Sequence, residues 1–351
     1  VNEAWFQNLI SGQTRHVPAA GLRALLSLGS LAYSSAVRIR NLLFNRGWYP
    51  VHRARVPVIS IGNITTGGTG KTPLVALICQ LLHDASALRP GIVSRGYRSI
   101  NGHANDEKLV LNLLCPSVPH VQNPDRVAAA ESLTVDGLVD AIVMDDGFQH
   151  RRLHRDLDIV LIDATNPFGY GHLLPRGLLR EPLSSLLRAS IVIITRSNLV
   201  SEQMLRDIER SVVDAAPHLA DHILHVVFQP DSLRSPDGSS TPLSEVTERP
   251  VYLMAGIGNP GAFQTTAVRA GMNVTGTSWF PDHHHYSRED LQRVQQKSDA
   301  AGGALIVTTL KDLVKLPTEC RDIRALEIAA IFPDPQHMIV LRHMIHRAVG
   351  R

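Results

Sequence analysis

Three cysteines, Cys79, Cys115 and Cys320, are all that 351 residues contain, and they stand far apart with no CxxC pair. That excludes a disulfide framework and a cysteine zinc site, and it fits a reducing compartment. Net charge is equally sparse. Thirty-five Lys and Arg against 32 Asp and Glu leave +3, too little to argue for nucleic acid as a partner. No run reaches the roughly 18–20 apolar residues of a membrane span. The apolar stretch Ala24–Val37 is short and diluted by Ser27, Gly29, Ser30, Ser34 and Ser35. It carries no convincing cleavage site, so a signal peptide is not expected. Internal repeats and low-complexity tracts are absent too, which leaves an ordinary globular composition of 44% hydrophobic and 19% charged residues.

The hydrophobic pattern changes along the chain. Residues 1–50 read as a helical preface: Leu22, Leu25, Leu26, Leu28 and Leu31 precede Arg38, Arg40 and Arg46, with Trp48 and Tyr49 after them. That order suits a helix lying at a membrane interface, and equally one packed on the protein's own core. Short apolar strands follow at Val56–Ile61, Gly91–Ser94, Ala141–Met144, Asp158–Asp163 and Ile191–Thr195, with helical patterns between several of them. Strands alternating with helices predict a parallel sheet covered on both faces. Residues 228–250, rich in Pro, Ser, Asp and Thr, read as a connection. A second strand–helix series then runs through Val251–Ala255, a helix after Pro260, Asn273–Thr275 and Ala304–Thr308.

Between the first strand and the first core helix lies Gly62-Asn-Ile-Thr-Thr-Gly-Gly-Thr-Gly-Lys-Thr-Pro73. Glycines let a backbone turn tightly and aim its N–H groups at phosphate oxygens, and the following helix adds its positive end. Pro73 falls in the first turn of that helix, where proline is favoured. Thr65, Thr66, Gly67, Gly68, Thr69, Gly70, Lys71 and Thr72 are the expected nucleotide contacts, Lys71 as a point charge on the outer phosphates and Thr72 as a hydroxyl for Mg²⁺. The match to GxxxxGK[ST] departs at Thr65, where the pattern has glycine. Membrane-switch ATPases of this loop type carry a second lysine where Thr66 stands, which counts against that class.

Val143-Met-Asp-Asp-Gly-Phe-Gln-His150 closes a buried strand. Asp145 and Asp146 there can hold the Mg²⁺ that bridges nucleotide phosphates; without the loop, paired acids at a strand end would only begin a turn. Gln149 and His150 can read a second substrate or serve as structural polar groups. In Gly169–Pro182, Arg180 can neutralise phosphate charge and Glu181 can orient it or assist Mg²⁺; alone, the two would be a surface ion pair. Asp282-His-His-His285-Tyr offers no evident fourth metal ligand, so a histidine tuning an aspartate base fits better than zinc.

Together these residues resemble the tetraacyldisaccharide 4'-kinases of lipid A biosynthesis. The resemblance covers nearly the whole chain, through Val56–Pro73, Ser94-Arg-Gly-Tyr97, Pro124-Asp-Arg126, Asp145–His150, Gly171–Pro182, Gly256-Ile-Gly-Asn-Pro260, Asp282–Tyr286 and Thr308–Leu316. It implies an ATP- and Mg²⁺-dependent kinase that phosphorylates the 4'-hydroxyl of a tetraacyldisaccharide 1-phosphate, giving lipid IVA. It implies two α/β domains with the active site in the cleft between them, and an N-terminal helix on the cytoplasmic face of the inner membrane. The expected fold class is therefore α/β: a P-loop NTPase-type parallel-sheet domain, a second, smaller α/β domain and an N-terminal membrane-associated helical segment. The boundaries read 1–50 for that segment, 51–228 for the P-loop kinase domain, 229–250 for the connection and 251–351 for the C-terminal domain. The partners implied are the lipid A disaccharide precursor and the membrane surface, with no nucleic acid and no obligate protein.

Residue by residue, the resemblance makes Lys71 and Thr72 the phosphate and Mg²⁺ contacts and Asp145 and Asp146 the acidic metal-site pair. Arg126, Gln149, His150, Arg180 and Glu181 become substrate or phosphate contacts. The general base would be Asp106, in Asn105-Asp-Glu-Lys108, where the family's usual Gly-Asp-Glu-Pro has lost its flanking Gly and Pro. Its histidine partner would be His283, favoured over His284. Arg176 adds a charge where the family often has alanine. The rival readings are a P-loop switch ATPase and a kinase of a soluble small molecule.

Overall fold

A computed structural model describes residues 3–14, 17–96, 106–135, 137–246, 249–282, 284–317, 320 and 322–350. Its contacts divide the chain into two compact units: Val1–Arg95, Val118–Val227 and Phe332–Arg351 in one, Gly96–Ser117 and Phe228–Ile331 in the other.

The first unit opens with helices α1 (Glu3–Ile10) and α2 (Val17–Asn45), then strand β1 (Val58–Asn63), helix α3 (Lys71–Ser86) and strand β2 (Pro90–Ser94). Helix α4 (Asp106–Leu114) belongs to the second unit. The chain returns through β3 (His120–Gln122), α5 (Arg126–Thr134), β4 (Ala141–Asp145), β5 (Leu157–Asp163), β6 (Ile191–Thr195) and α6 (Glu202–Ala215) to β7 (Ile223–Arg234), whose first five residues still count with this unit. The strand order is β7-β6-β5-β1-β4-β2-β3, and every neighbouring pair is parallel. Strands β1, β2 and β6 are buried along their whole length, as expected of parallel strands covered on both faces. With all strands running one way, their C-terminal ends meet on one edge, where ligands of open α/β sheets bind.

The second unit adds β8 (Ser240–Pro242), β9 (Pro250–Ala255), α7 (Pro260–Arg269), β10 (Asn273–Trp279), α8 (Arg288–Ala300), β11 (Leu305–Thr309), the short α9 (Leu310–Leu313) and β12 (Arg324–Ile331). Its strand order is β10-β9-β11-β12-β7, with β8 antiparallel on β7. Helix α10 (Pro335–Ala348) closes the chain.

Two segments group differently from their sequence reading. Gly96–Ser117, placed above within 51–228, clusters with the second unit, because Leu113 of α4 packs into the core of Tyr252, Met254, Ile306 and Leu313. Phe332–Arg351, placed above with the C-terminal domain, clusters with the first unit, because α10 lies against α3, β1 and β5 and buries Leu341 and Ile345.

Helix α2 is seated on the first unit by polar ties. The Ser30 hydroxyl donates to Leu173 O at 2.9 Å, Tyr33 Oη donates to Arg180 O at 3.0 Å, and Asn41 Nδ2 donates to Glu181 Oε2 at 3.1 Å. Arg151 donates to Asn41 O and Asn45 Oδ1 and stacks over Phe44. The opposite face leaves Leu25, Leu28 and Leu31 exposed at 64%, 64% and 65%, with Ile39, Leu42, Trp48 and Tyr49 also in solvent. No helix among the described residues is long and apolar enough to cross a membrane.

Candidate active site

The site is built where β1, β4, β5 and β6 end. After Asn63 the chain leaves β1 and returns as α3, and Gly70, at the N-cap, adopts the left-handed φ of 85° that glycine takes without strain. Gly67 has φ 117°, and a side chain there, or at Gly68, would meet nothing within 4 Å. Gly67 and Gly68 therefore border open space, and a phosphate chain there would meet the N-terminus of α3. Its outer wall is the segment before Pro182: Thr66 N donates to Leu178 O at 2.8 Å, Arg180 N donates to Ile64 O at 2.7 Å, and Thr65 bridges Leu179. Thr65 and Thr69 are buried; Lys71 and Thr72 are half-buried.

The Asp145–His150 turn lies directly on the end of β1. Asp145, last residue of β4, is in register with Ile61. Gly62 is the reason the turn comes so close: a Cβ there would stand 2.6 Å from Phe148 Cβ and 2.7 Å from its backbone nitrogen. Asp146 has φ 52°, which swings its carboxylate toward the loop. Lys71 Nζ stands 3.4 Å from Asp146 Oδ1 and donates to Asn63 Oδ1 at 3.2 Å. Arg180 Nη1 lies 2.9 Å from Asp146 Oδ2 and 3.3 Å from Gln149 Oε1. Burial pushes the Asp146 carboxyl up, but Lys71 and Arg180 outweigh it and hold the group below its ordinary range, ionised at neutral pH. Gln149 Nε2 donates to Asn63 O at 2.9 Å, which closes the ring.

Beside this ring sit Arg126 and His150. Arg126, first residue of α5, is only 5% exposed, and its Nη1 donates to Pro124 O. Its buried Nε and the buried Nε2 of His150 have no hydrogen-bond partner among the described residues. Burial, then the charge of Arg126, push the His150 imidazole down to about 4, so it is neutral at pH 7. A buried guanidinium with donor capacity to spare beside a neutral imidazole is suited to an anionic or hydroxylic ligand.

Glu181 is placed differently from its sequence reading. Its side chain is wholly buried, 3.0 Å from Arg188 and 3.1 Å from Arg40, and accepts from Asn41 and from the Ser185 hydroxyl at 2.8 Å. With those partners it ties α2 to the segment around Pro182.

Asp106 begins α4 in the second unit, where its Oδ2 lies 3.4 Å from Lys315 Nζ. His283 lies outside the described residues. Its neighbour His284 has Nε2 3.0 Å from Asp290 Oδ2.

Four supporting residues escaped the sequence reading. Asn63 holds Lys71. Thr195 donates to Thr69 O at 3.0 Å, and Arg196 donates to Gly68 O at 3.0 Å and pairs with Asp163. These three end a parallel strand or follow directly after one, and strand ends of that kind are where sites of open α/β sheets gather, so their position was a usable signal. The fourth, Arg188, lies over the Phe148 ring at 4.4 Å and had no such signal.

The space in front of α3, the ionised Asp146 and Lys71 fit a nucleotide with Mg²⁺. Among the described residues no three His, Cys, Asp or Glu side chains cluster as a metal cage.

The model of the tetraacyldisaccharide-1-P 4'-kinase family matches residues 22–345 of this chain. The chain belongs to that family. Among curated relatives, the tetraacyldisaccharide 4'-kinase of Geobacter metallireducens is 38% identical over 311 residues, covering 84% of this chain and 88% of its own. That of Anaeromyxobacter sp. (strain K) is 36% identical over 312 residues, covering 84% and 81%. The crystal structure of LpxK from Aquifex aeolicus in complex with ATP superposes with a TM-score of 0.76 at 28% identity, over 93% of this chain and 99% of that one. The fold of this 4'-kinase family member is thus the α/β P-loop type expected of it.

Proposed function

We propose that this protein transfers the γ-phosphate of ATP to the 4'-hydroxyl of a tetraacyldisaccharide 1-phosphate, the lipid A precursor, forming lipid IVA. The observation that carries the reading is the ring Lys71–Asp146–Arg180–Gln149–Asn63 at the mouth of the phosphate loop. It gathers two cations and an ionised carboxylate where phosphoryl transfer needs them.

The reading assigns the following roles. The backbone of Thr65–Gly70 cradles the phosphates. Lys71 leaves Asn63 and Asp146 for the outer phosphates, and Arg180 neutralises charge that develops on the transferred group. Thr72, Asp145 and Asp146 are the residues to hold Mg²⁺, which supplies charge neutralisation across the phosphates. Arg126 and His150 receive the acceptor. Asp106, with His283 as its partner, takes the hydroxyl proton.

The acceptor is an amphiphile, so the enzyme has to work at a lipid surface. The exposed face of α2, with Leu25, Leu28 and Leu31 flanked by Arg38, Arg46, Trp48 and Tyr49, suits the cytoplasmic face of the inner membrane as a peripheral, non-spanning attachment.

Incubation with γ-labelled ATP and tetraacyldisaccharide 1-phosphate tests the reading. Label should enter the lipid, and the Lys71→Ala variant should transfer almost none. Label released only as inorganic phosphate would reject the assignment.

A further inference from the structure

Two motifs picked out in the sequence have no role in the reading above: Gly256-Ile-Gly-Asn-Pro260 and Thr308–Leu316. In the second unit they meet at Asp312, a wholly buried carboxylate. Its Oδ2 accepts from the Gly256 N–H at 3.1 Å and from the Thr309 hydroxyl at 2.8 Å, and its Oδ1 accepts from Lys315 Nζ at 3.3 Å. Gly256 is itself tightly enclosed, since a Cβ there would stand 3.1 Å from Pro281 O, His284 Cβ and Tyr286 Oη. A continuous set of contacts thus runs from the Asp282–Tyr286 turn through Asp312 to Lys315.

Lys315 has a side chain only 7% exposed, and its ammonium lies 3.4 Å from Asp106 Oδ2. Lysines this far out of water are rare unless paired. Asp312 alone would provide the pairing. The second contact, to the carboxylate read as the base, is what a purely structural lysine would not need. Lys315, paired with Asp312, meets Asp106 from the turn after α9, and Glu107 and Lys108 are its neighbours on α4. Burial, then the Asp312 charge, push the Tyr286 phenol well above its ordinary value, so Tyr286 adds no charge to this set.

We infer that Lys315 is a positioning residue for phosphoryl transfer: anchored by Asp312, its buried ammonium fixes the orientation of the Asp106 carboxylate that is to receive the hydroxyl proton. The inference rests on the reading of Asp106 as the base. It gives both unexplained motifs one purpose, a rigid mount for that base. A base displaced by a fraction of an ångström is poorly placed to accept the proton in the transition state.

The test is steady-state kinetics of the whole chain with the lipid acceptor, in Lys315→Met, Lys315→Arg, Asp106→Ala and the double variant Asp106→Ala/Lys315→Met. Lys315→Met should lower kcat about 100-fold and leave the KM for ATP unchanged. Lys315→Arg keeps a cation and should restore most of kcat. Adding Lys315→Met to Asp106→Ala should cost nothing further, as for residues that act through one another. Undiminished transfer by Lys315→Met overturns the inference, and so does a further loss in the double variant, the sign of a merely structural lysine. Wild-type transfer by Asp106→Ala is a separate result and removes the base itself. If Lys315→Met does not fold, Asp312→Asn/Lys315→Gln removes both buried charges together. Its kcat should fall likewise, adding the pair to Asp106→Ala should cost nothing further, and a further loss there also overturns the inference.

Discussion

Lys71 and Asp146 face each other across 3.4 Å at the mouth of the phosphate loop, and Asn63 holds the same ammonium from the end of β1. The lysine thus rests on protein oxygens at the start of α3, and in the proposed reaction it leaves them for phosphate oxygens. It can pass to the nucleotide without a long search or the cost of an unpaired charge.

Replacing Lys71 by alanine removes this charge and leaves Asp146 with Arg180. Transfer of label to lipid should fall by about 10²–10³-fold, the usual range for losing one preorganised transition-state contact. The thermal midpoint should change little, because the pair is partly solvated and such pairs add little stability. An equal loss of activity and fold would point instead to a structural lysine.

Glu181→Ala should act in the opposite sense. It strands Arg188 and Arg40 around a buried vacancy, and breaking such a buried pair costs about 3–5 kcal/mol. Urea unfolding should show the loss directly. Burial works to raise the Glu181 carboxyl, yet Arg188 and Arg40 hold it below its ordinary range. A depressed carboxyl stabilises the fold above the unfolded value and loses that contribution as pH falls through the folded one. The wild type should therefore lose stability at acid pH more steeply than Glu181→Ala.

His150 gives a second pH signature. Its imidazole is pushed down from 6.5 to about 4, so between those values the unfolded chain binds a proton that the folded chain does not. Stability then rises with pH across that window and falls as pH drops through it. His150→Gln should flatten the slope there, as read by thermal melts at successive pH values. An unchanged slope would show that this imidazole does not titrate as described.

The attachment of α2 is best tested by point changes on its exposed face. Leu25→Ser/Leu28→Ser/Leu31→Ser removes three apolar side chains and should weaken recovery on anionic vesicles on the order of 100-fold. The KM for ATP should stay as it was. Recovery equal to wild type would reject this face as the contact.

How legible was all this in the sequence? The phosphate loop and the Asp145–His150 turn could be read because their residues are neighbours in the chain, and a strand end fixes where they point. Glu181 could not. Two of its partners, Arg40 and Asn41, lie about 140 positions away, so its burial against α2 had no signal in the local sequence. Lys315 and Asp106 are likewise brought together only by the packing of α4 near α9. The same long-range packing moved Gly96–Ser117 and Phe332–Arg351 from where the sequence reading had put them. The apolar pattern of residues 20–49 fitted two surroundings, and the structure gives one helix with one face seated and the other bare.

The seating of that helix has a further meaning. Tyr33 holds the backbone carbonyl of Arg180, and Arg40 and Asn41 hold the carboxylate of the very next residue. The helix proposed to meet the membrane therefore also braces the arginine proposed to meet the phosphates. A chain trimmed of its first 45 residues to make it easier to handle would lose rate even in detergent micelles, where no bilayer is left to hold on to. Losses seen after such trimming would report a loosened Arg180 as much as a lost membrane.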